Sequence, residues 1–170
     1  GDGDIRKSIL NGKIYKDKIS TYYQKRSTFL RKENYSVSRA KNIFLKKRIE
    51  AIQNCDLKKN ASKIVFGDGD IKSSIMIIGE GPGQKEDELG KPFVGDAGNL
   101  LNKMLKAIKI ERQKIYITNV VNYRLPNNRK PEHSEINRYS EYLKEHIAII
   151  DPKILILMGS TAMEAILGMT

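Results

Sequence analysis

Three stretches of the chain are apolar almost without interruption: Ile75-Met76-Ile77-Ile78, Ile115-Tyr116-Ile117 continuing through Thr118-Asn119 to Val120-Val121, and Ile154-Leu155-Ile156-Leu157. A strand with one wet face alternates apolar and polar residues, whereas a strand covered on both faces reads as a continuous apolar run. The residues between these runs change period. Leu100, Leu101, Met104, Leu105 and Ile108 fall on one helical stripe, as do Ile136, Tyr139, Leu143 and Ile147, and Gly159-Ser160 opens a last helix to Leu167 with Ser160 as its N-cap. Strands of about Ser74–Gly79, 115–121 and 154–157 alternating with helices predict an α/β fold. The expected architecture is a three-layer α/β/α sandwich around a mainly parallel four-stranded sheet, with a further strand expected beyond Thr170. In such sheets ligands bind at the carboxyl ends of the strands. That edge holds Gly79–Gly83, Asn119 and Gly159-Ser160.

Upstream the pattern weakens. Ala40, Ile43, Phe44, Lys47 and Ala51 recur at spacings of three and four, which predicts a helix with Ser36 or Ser38 as N-cap and this set facing inward. Arg39, Lys41, Lys46 and Arg48 fall on its other side. Residues 1–34 keep no steady period and read as a basic, partly ordered leader to a domain over residues 35–170. One echo stands out, GDGDIRKSIL (1–10) against GDGDIKSSIM (67–76); a single echo is not a repeat architecture.

Charge sharpens this division. Of the 170 residues, 31 are Lys or Arg and 20 are Asp or Glu, a formal net charge of +11. Residues 1–66 hold 17 basic against 6 acidic side chains, and the remainder holds 14 of each. A basic half beside a neutral half fits a polyanionic partner, whose counterions are released on contact. No stretch is long and apolar enough for a membrane span, and no secretory leader is legible, so the expected setting is cytoplasmic. Cys55 is the single cysteine, so no internal disulfide can form.

The chemistry concentrates in GEGPGQKEDELGKPFVGDAGNLL, Gly79 to Leu101, which joins the first strand to a helix. A tight turn needing positive φ explains one or two glycines. Gly79, Gly81 and Gly83 in alternation, with Glu86-Asp87 and then Pro92-Phe93-Val94-Gly95 behind them, ask for more. Such a backbone lets N–H groups approach an anion or a planar ring. The loop is neither a Walker loop nor a dinucleotide fingerprint, since no Gly-Lys-Ser/Thr closes it and Pro82 breaks the spacing. A phosphate-binding nucleotide domain stays open as an alternative at this point.

GEGPGxxED…GKPFVGxAGxLL, then YITNVV, the NNRKP loop and DPKILILMG resemble, in order and spacing, the family 4 (iron–sulfur type) uracil-DNA glycosylases, over about residues 50–170. The resemblance implies a base-excision enzyme that flips uracil from DNA, hydrolyses its N-glycosidic bond and leaves an abasic site. By position it assigns ring stacking to Phe93, reading of the uracil edge to Asn119, and catalysis to Glu80. Gly79, Gly81 and Gly83 would line the uracil pocket. Glu86 and Asp87 would order the loop, while Lys91, Arg124, Arg129, Lys130 and Ser160 are candidates for DNA phosphates. The implied partner is uracil-containing DNA, the implied state a monomer.

Two departures qualify the resemblance. The family's [4Fe–4S] cluster needs four cysteines; here Cys55 takes one place, with Ile52, Tyr123 and Tyr139 at the others. The cluster is expected to be absent, these residues packing where it would sit, and no other cofactor is implied. The family's C-terminal His-Pro motif has no match before Thr170. His133 reads as a helix-start surface residue and His146 as a half-exposed structural one. A truncated or decayed glycosylase that only binds DNA or uracil is therefore the alternative to an active enzyme.

Overall fold

The computed structural model describes residues 34–168; the predicted leader, up to residue 33, and the first copy of the echo lie outside them. Within the compact unit Tyr35–Thr170 the order is α1 (Tyr35–Glu50), α2 (Asp56–Asn60), β1 (Asp68–Gly69), β2 (Ile75–Gly79), α3 (Gln84–Leu89), α4 (Asp96–Ala107), β3 (Tyr116–Asn119), α5 (His133–Ile150), β4 (Ile154–Leu157) and α6 (Ser160–Leu167). Short 3₁₀ turns at Arg112–Lys114 and Pro126–Asn128 flank β3.

The three apolar runs become β2, β3 and β4, which pair in parallel with β2 in the centre. The sheet order is β1-β3-β2-β4. Its fourth strand among the described residues is the short Asp68–Gly69, antiparallel to β3, so the sheet is mixed. Helices cover both faces. On one face Ile77 and Ile117 pack with Leu101 and Leu105 of α4. On the other, α5 brings His146 against Tyr116 of β3, and α1 packs in turn on α5. Burial on both faces is why β2 and β3 tolerate no polar alternation.

α5 turns Ile136, Tyr139, Leu143 and Ile147 inward as the spacing predicts. α1 does not follow its predicted stripe. It begins at Tyr35, ahead of both expected caps, and buries Ser38, Asn42, Leu45 and Ile49. Phe44 stays 62% exposed and Ile43 44%. Polar bonds decide this orientation. Asn42 Nδ2 donates to the Tyr116 hydroxyl at 3.1 Å, and Lys72 Nζ donates to the Ser38 hydroxyl at 2.7 Å. The outward Phe44 lies under the Arg48 guanidinium, which also stacks on Tyr142 and pairs with Glu145.

α4 shows a second difference. Leu101 and Leu105 are buried, but Leu100, Met104 and Ile108 face solvent, because the apolar arc of this helix is wider than the sheet beneath it. His146, expected half-exposed, is 2% exposed, stacked on Phe66 with ring centroids 4.3 Å apart.

Candidate uracil pocket

The glycine-rich loop leaves the carboxyl end of β2 beside that of β3, with Gly79 in register with Asn119. The ladder continues past the strands, since Val120 N–H bonds to the Gly79 carbonyl and Val121 N–H to that of Glu80. None of Gly79, Gly81 and Gly83 has a positive φ. The turn-forming explanation of these glycines therefore fails, and close approach replaces it. A Cβ on Gly79 would lie 2.5 Å from both the Phe93 ring and Asn119 Oδ1. One on Gly81 would lie 2.7 Å from the Val121 side chain, and one on Gly83 2.9 Å from Glu86 Oε1. Gly79 thus brings the aromatic ring and the amide together across a bare backbone. Asn119 is buried, and none of the side-chain hydrogen bonds among the described residues engages its amide. Its acceptor oxygen and its NH2 donors remain for a ligand edge.

Glu86 and Asp87 hold the loop's shape. Glu86 accepts from Gly83 N–H and, through its other oxygen, from Val94 N–H, each at 3.1 Å. Buried Asp87 accepts from Ser62 N–H at 2.8 Å and ties the loop to the segment ahead of β1. Phe93 sits between Pro92 and Val94 with φ 52°, a left-handed backbone that is uncommon for a bulky side chain.

Glu80 is half-buried, and Thr161 Oγ1 donates to its Oε2 at 2.6 Å. Thr161 is buried in the first turn of α6. The spacing pointed to Ser160 as N-cap; in the structure Gly159 holds the cap position and Ser160 is the exposed first residue of the helix. Sequence reasoning passed over Thr161, and its only signal was adjacency to Ser160 at the strand's carboxyl end. Arg112, also passed over, donates to the Phe93 and Pro92 carbonyls at 2.7 and 2.6 Å.

The structure does not treat the phosphate candidates alike. Arg129 is committed to Glu135 through two bonds of 2.9 and 2.8 Å; that pairing raises the Arg129 pKa and holds the Glu135 carboxyl below its usual value. Arg124 donates to Asn128 at 3.2 Å. Lys91, Lys130 and Ser160 are exposed. Both histidines have partners. His133 Nδ1 lies 2.6 Å from Glu164 Oε1. His146 Nε2 lies 2.8 Å from the Tyr116 hydroxyl, far along β3 from Asn119.

Around Cys55 the donors do not suit an iron–sulfur cluster. Its buried thiol faces the Tyr139 hydroxyl at 3.5 Å, and Tyr123 is buried as well. Burial, then Glu50 and Cys55, push the Tyr123 phenol up to about 12; burial and the Cys55 contact also raise Tyr139. Neutral phenols with one thiol cannot replace four thiolates. Among the described residues no group of three or more His, Cys, Asp or Glu side chains could hold a metal ion, and no helix is long and apolar enough to cross a membrane.

Residues 66–170, well over half the chain, match the Uracil DNA glycosylase superfamily. The chain belongs to that superfamily. It is 46% identical over 116 residues to the type-4 uracil-DNA glycosylase of Sulfurisphaera tokodaii, an alignment covering 68% of this chain and 53% of the relative. The type-4 uracil-DNA glycosylase of Pyrobaculum aerophilum is 42% identical over 126 residues, covering 72% and 64%. A DNA polymerase of Bacillus phage SP01 is 34% identical over 115 residues, covering 67% of this chain but 12% of the polymerase. The chain thus spans between half and two thirds of the length of these type-4 relatives. The superfamily match begins at residue 66, after α1 and α2, although α1 is hydrogen-bonded into the fold through Asn42.

Proposed function

We propose that this chain is a uracil-DNA glycosylase domain of the type-4 kind, whose substrate is uracil in DNA and whose products are free uracil and an abasic site. The observation that carries the reading is the meeting of Gly79, Phe93 and Asn119. A flat ring and an unengaged amide are held together at the sheet edge where α/β proteins bind ligands.

A base flipped from the stack would lie on Phe93 and present its Watson–Crick edge to Asn119. Breaking the bond from N1 to C1′ puts positive charge on the sugar and negative charge on the departing uracil. Water supplies the new C1′–oxygen bond, and one of its protons ends on the uracil. Glu80 carries the fixed negative charge suited to the sugar cation and can orient that water. Thr161 holds Oε2 and leaves Oε1 for the reaction. No step requires a metal, and the buried Cys55–Tyr139–Tyr123 cluster would stabilise by packing what the family stabilises with iron and sulfur. The same reading makes the chain a cytoplasmic monomer, with Lys91, Lys130 and Arg124 as phosphate contacts. Support for Arg129 in that role is weak, because Glu135 already neutralises it.

The test is incubation with single-stranded DNA containing one uracil, followed by alkali to cleave abasic sites. Cleavage should be lost in Glu80→Ala and in Asn119→Ala. Equal cleavage by the chain and both variants removes the reading. A binding-only role is the second reading, favoured by the commitment of both histidines to protein partners. Uracil-dependent DNA binding without any cleavage would establish it.

A further inference from the structure

Phe93 is the one aromatic residue among the described positions with a positive φ. Such a conformation persists only where its surroundings over-determine it, and here three groups do so. Arg112 Nη1 and Nη2 donate to the carbonyls on either side of the Phe93 N–Cα–C unit, those of Phe93 and Pro92. Glu86 accepts from the following N–H, that of Val94. Gly98, at the start of α4, lets the Phe93 carbonyl come close, since a Cβ there would lie 2.0 Å from that oxygen.

Glu86 belongs to the loop itself, but Arg112 reaches in from the turn before β3 and is held from α4. Its Nη1 also donates to Asn102 Oδ1 at 2.8 Å, while Asp68 Oδ2 lies 3.9 Å from Nη2. A planar guanidinium can span two carbonyls and an amide oxygen at once; a lysine ammonium cannot reproduce that fork.

We propose that Arg112 is a positioning residue of the base pocket: its guanidinium locks the Phe93 peptide in the left-handed conformation and so sets the ring against Gly79 and Asn119. The proposal deepens the glycosylase reading and rests on it only for the identity of the base. Arg112 itself touches no reacting atom.

The experiment uses the full chain with Arg112→Met, Arg112→Lys and Asp68→Asn. The Phe93 ring lies against the Gly79 Cα, so the Gly79 α-protons carry its ring-current shift, which NMR reads without any ligand. Arg112→Met should collapse that shift. It should also lower the preference for an oligonucleotide with one uracil over its thymine counterpart about tenfold, the size of one lost base stack. Arg112→Lys should not restore either property, and Asp68→Asn should leave both in place, because at 3.9 Å that carboxylate makes no hydrogen bond to Arg112.

Where Arg112→Met costs stability, the double variant with Phe93→Gly decides, because glycine takes positive φ without strain. The pair should then be less destabilising than the sum of its members. Unchanged Gly79 shifts in both Arg112 variants, or strictly additive stability losses, overturn the proposal. Collapsed shifts in a protein with no uracil preference would leave the positioning role standing and remove the base-pocket reading.

Discussion

β2 and β4 are nearly the same in sequence, Ile-Met-Ile-Ile-Gly against Ile-Leu-Ile-Leu, and they pair residue for residue. Their surroundings differ. In β2 the residues Met76, Ile77 and Ile78 are at most 1% exposed, whereas Ile154 is 53% and Ile156 38% exposed in β4. The first strand lies between two others. The second has a neighbour on one side only among the described residues. The polar machinery divides in the same way. The Phe93–Gly79–Asn119 floor is braced by Glu86, Asp87 and Arg112, while the β4 side contributes the single Thr161–Glu80 bond. An apolar run announces a strand; how much stability it supplies depends on neighbours that the run does not encode.

The largest expected contrast follows directly. Ile77→Ala removes a β2 side chain 1% exposed at the junction of sheet and α4 and should cost about 2–5 kcal/mol, as other buried Ile-to-Ala changes do. Ile156→Ala in β4 should cost under about 1 kcal/mol, because water already reaches that side chain. Urea unfolding of the two variants measures both. Equal losses would show that β4 is as well covered in solution as β2, and the comparison would break.

This contrast also marks what the sequence could show. Strand positions were legible to within a residue or two at most ends, and so were the inward residues of α5, because local period reports local structure. The meeting of Gly79, Phe93 and Asn119 was legible as well, through a motif whose parts lie close to Gly79 or at a strand end. The inward face of α1 was not. Its apolar spacing favoured Phe44, but a polar residue, Asn42, reaches 74 positions along the chain to Tyr116. Thr161 and Arg112 were invisible for the same reason, since each acts on a partner distant in sequence that only the fold brings near. α4 misled by excess, offering a wider apolar arc than the sheet had room to bury.

The pocket floor yields the next prediction. Gly79→Ala places a methyl where the Phe93 ring and Asn119 Oδ1 already stand, each 2.5 Å away. One of them must move, at a cost of about 1–3 kcal/mol typical of overpacking. Uracil-dependent binding should fall more than stability does if, as proposed, the residue that yields is part of the recognition surface. Thermal unfolding and oligonucleotide binding, run on the same preparation, separate the two. A Gly79→Ala protein that binds as the parent does would mean that the loop is softer than its braces imply.

A pH dependence marks the rear of the braced region, where β3 meets α5. His146 is fully enclosed by Phe66, Tyr116 and the α1–α5 packing, and burial lowers its pKa to about 3. Asn42 Nδ2 donates to the Tyr116 oxygen, and the Tyr116 hydroxyl is then free to donate to a neutral imidazole at Nε2. Asn42 Oδ1 itself has no hydrogen-bond partner among the described residues. In the unfolded chain the same histidine takes up a proton near its usual pKa of about 6.5. The folded pKa being the lower one, the neutral ring contributes its full stability above about pH 6.5. That contribution is lost progressively as the pH falls towards 3, at up to about 1.4 kcal/mol per pH unit. Urea midpoints between pH 7 and 4 should therefore decline, and His146→Gln, which cannot titrate, should flatten the decline while starting from a lower midpoint. His133, exposed on the α6 side and paired only with Glu164, makes the contrasting control. If His133→Gln flattened the acid limb and His146→Gln did not, the titrating weakness would lie on the β4 side of the molecule, and the braced floor would be the part indifferent to acid.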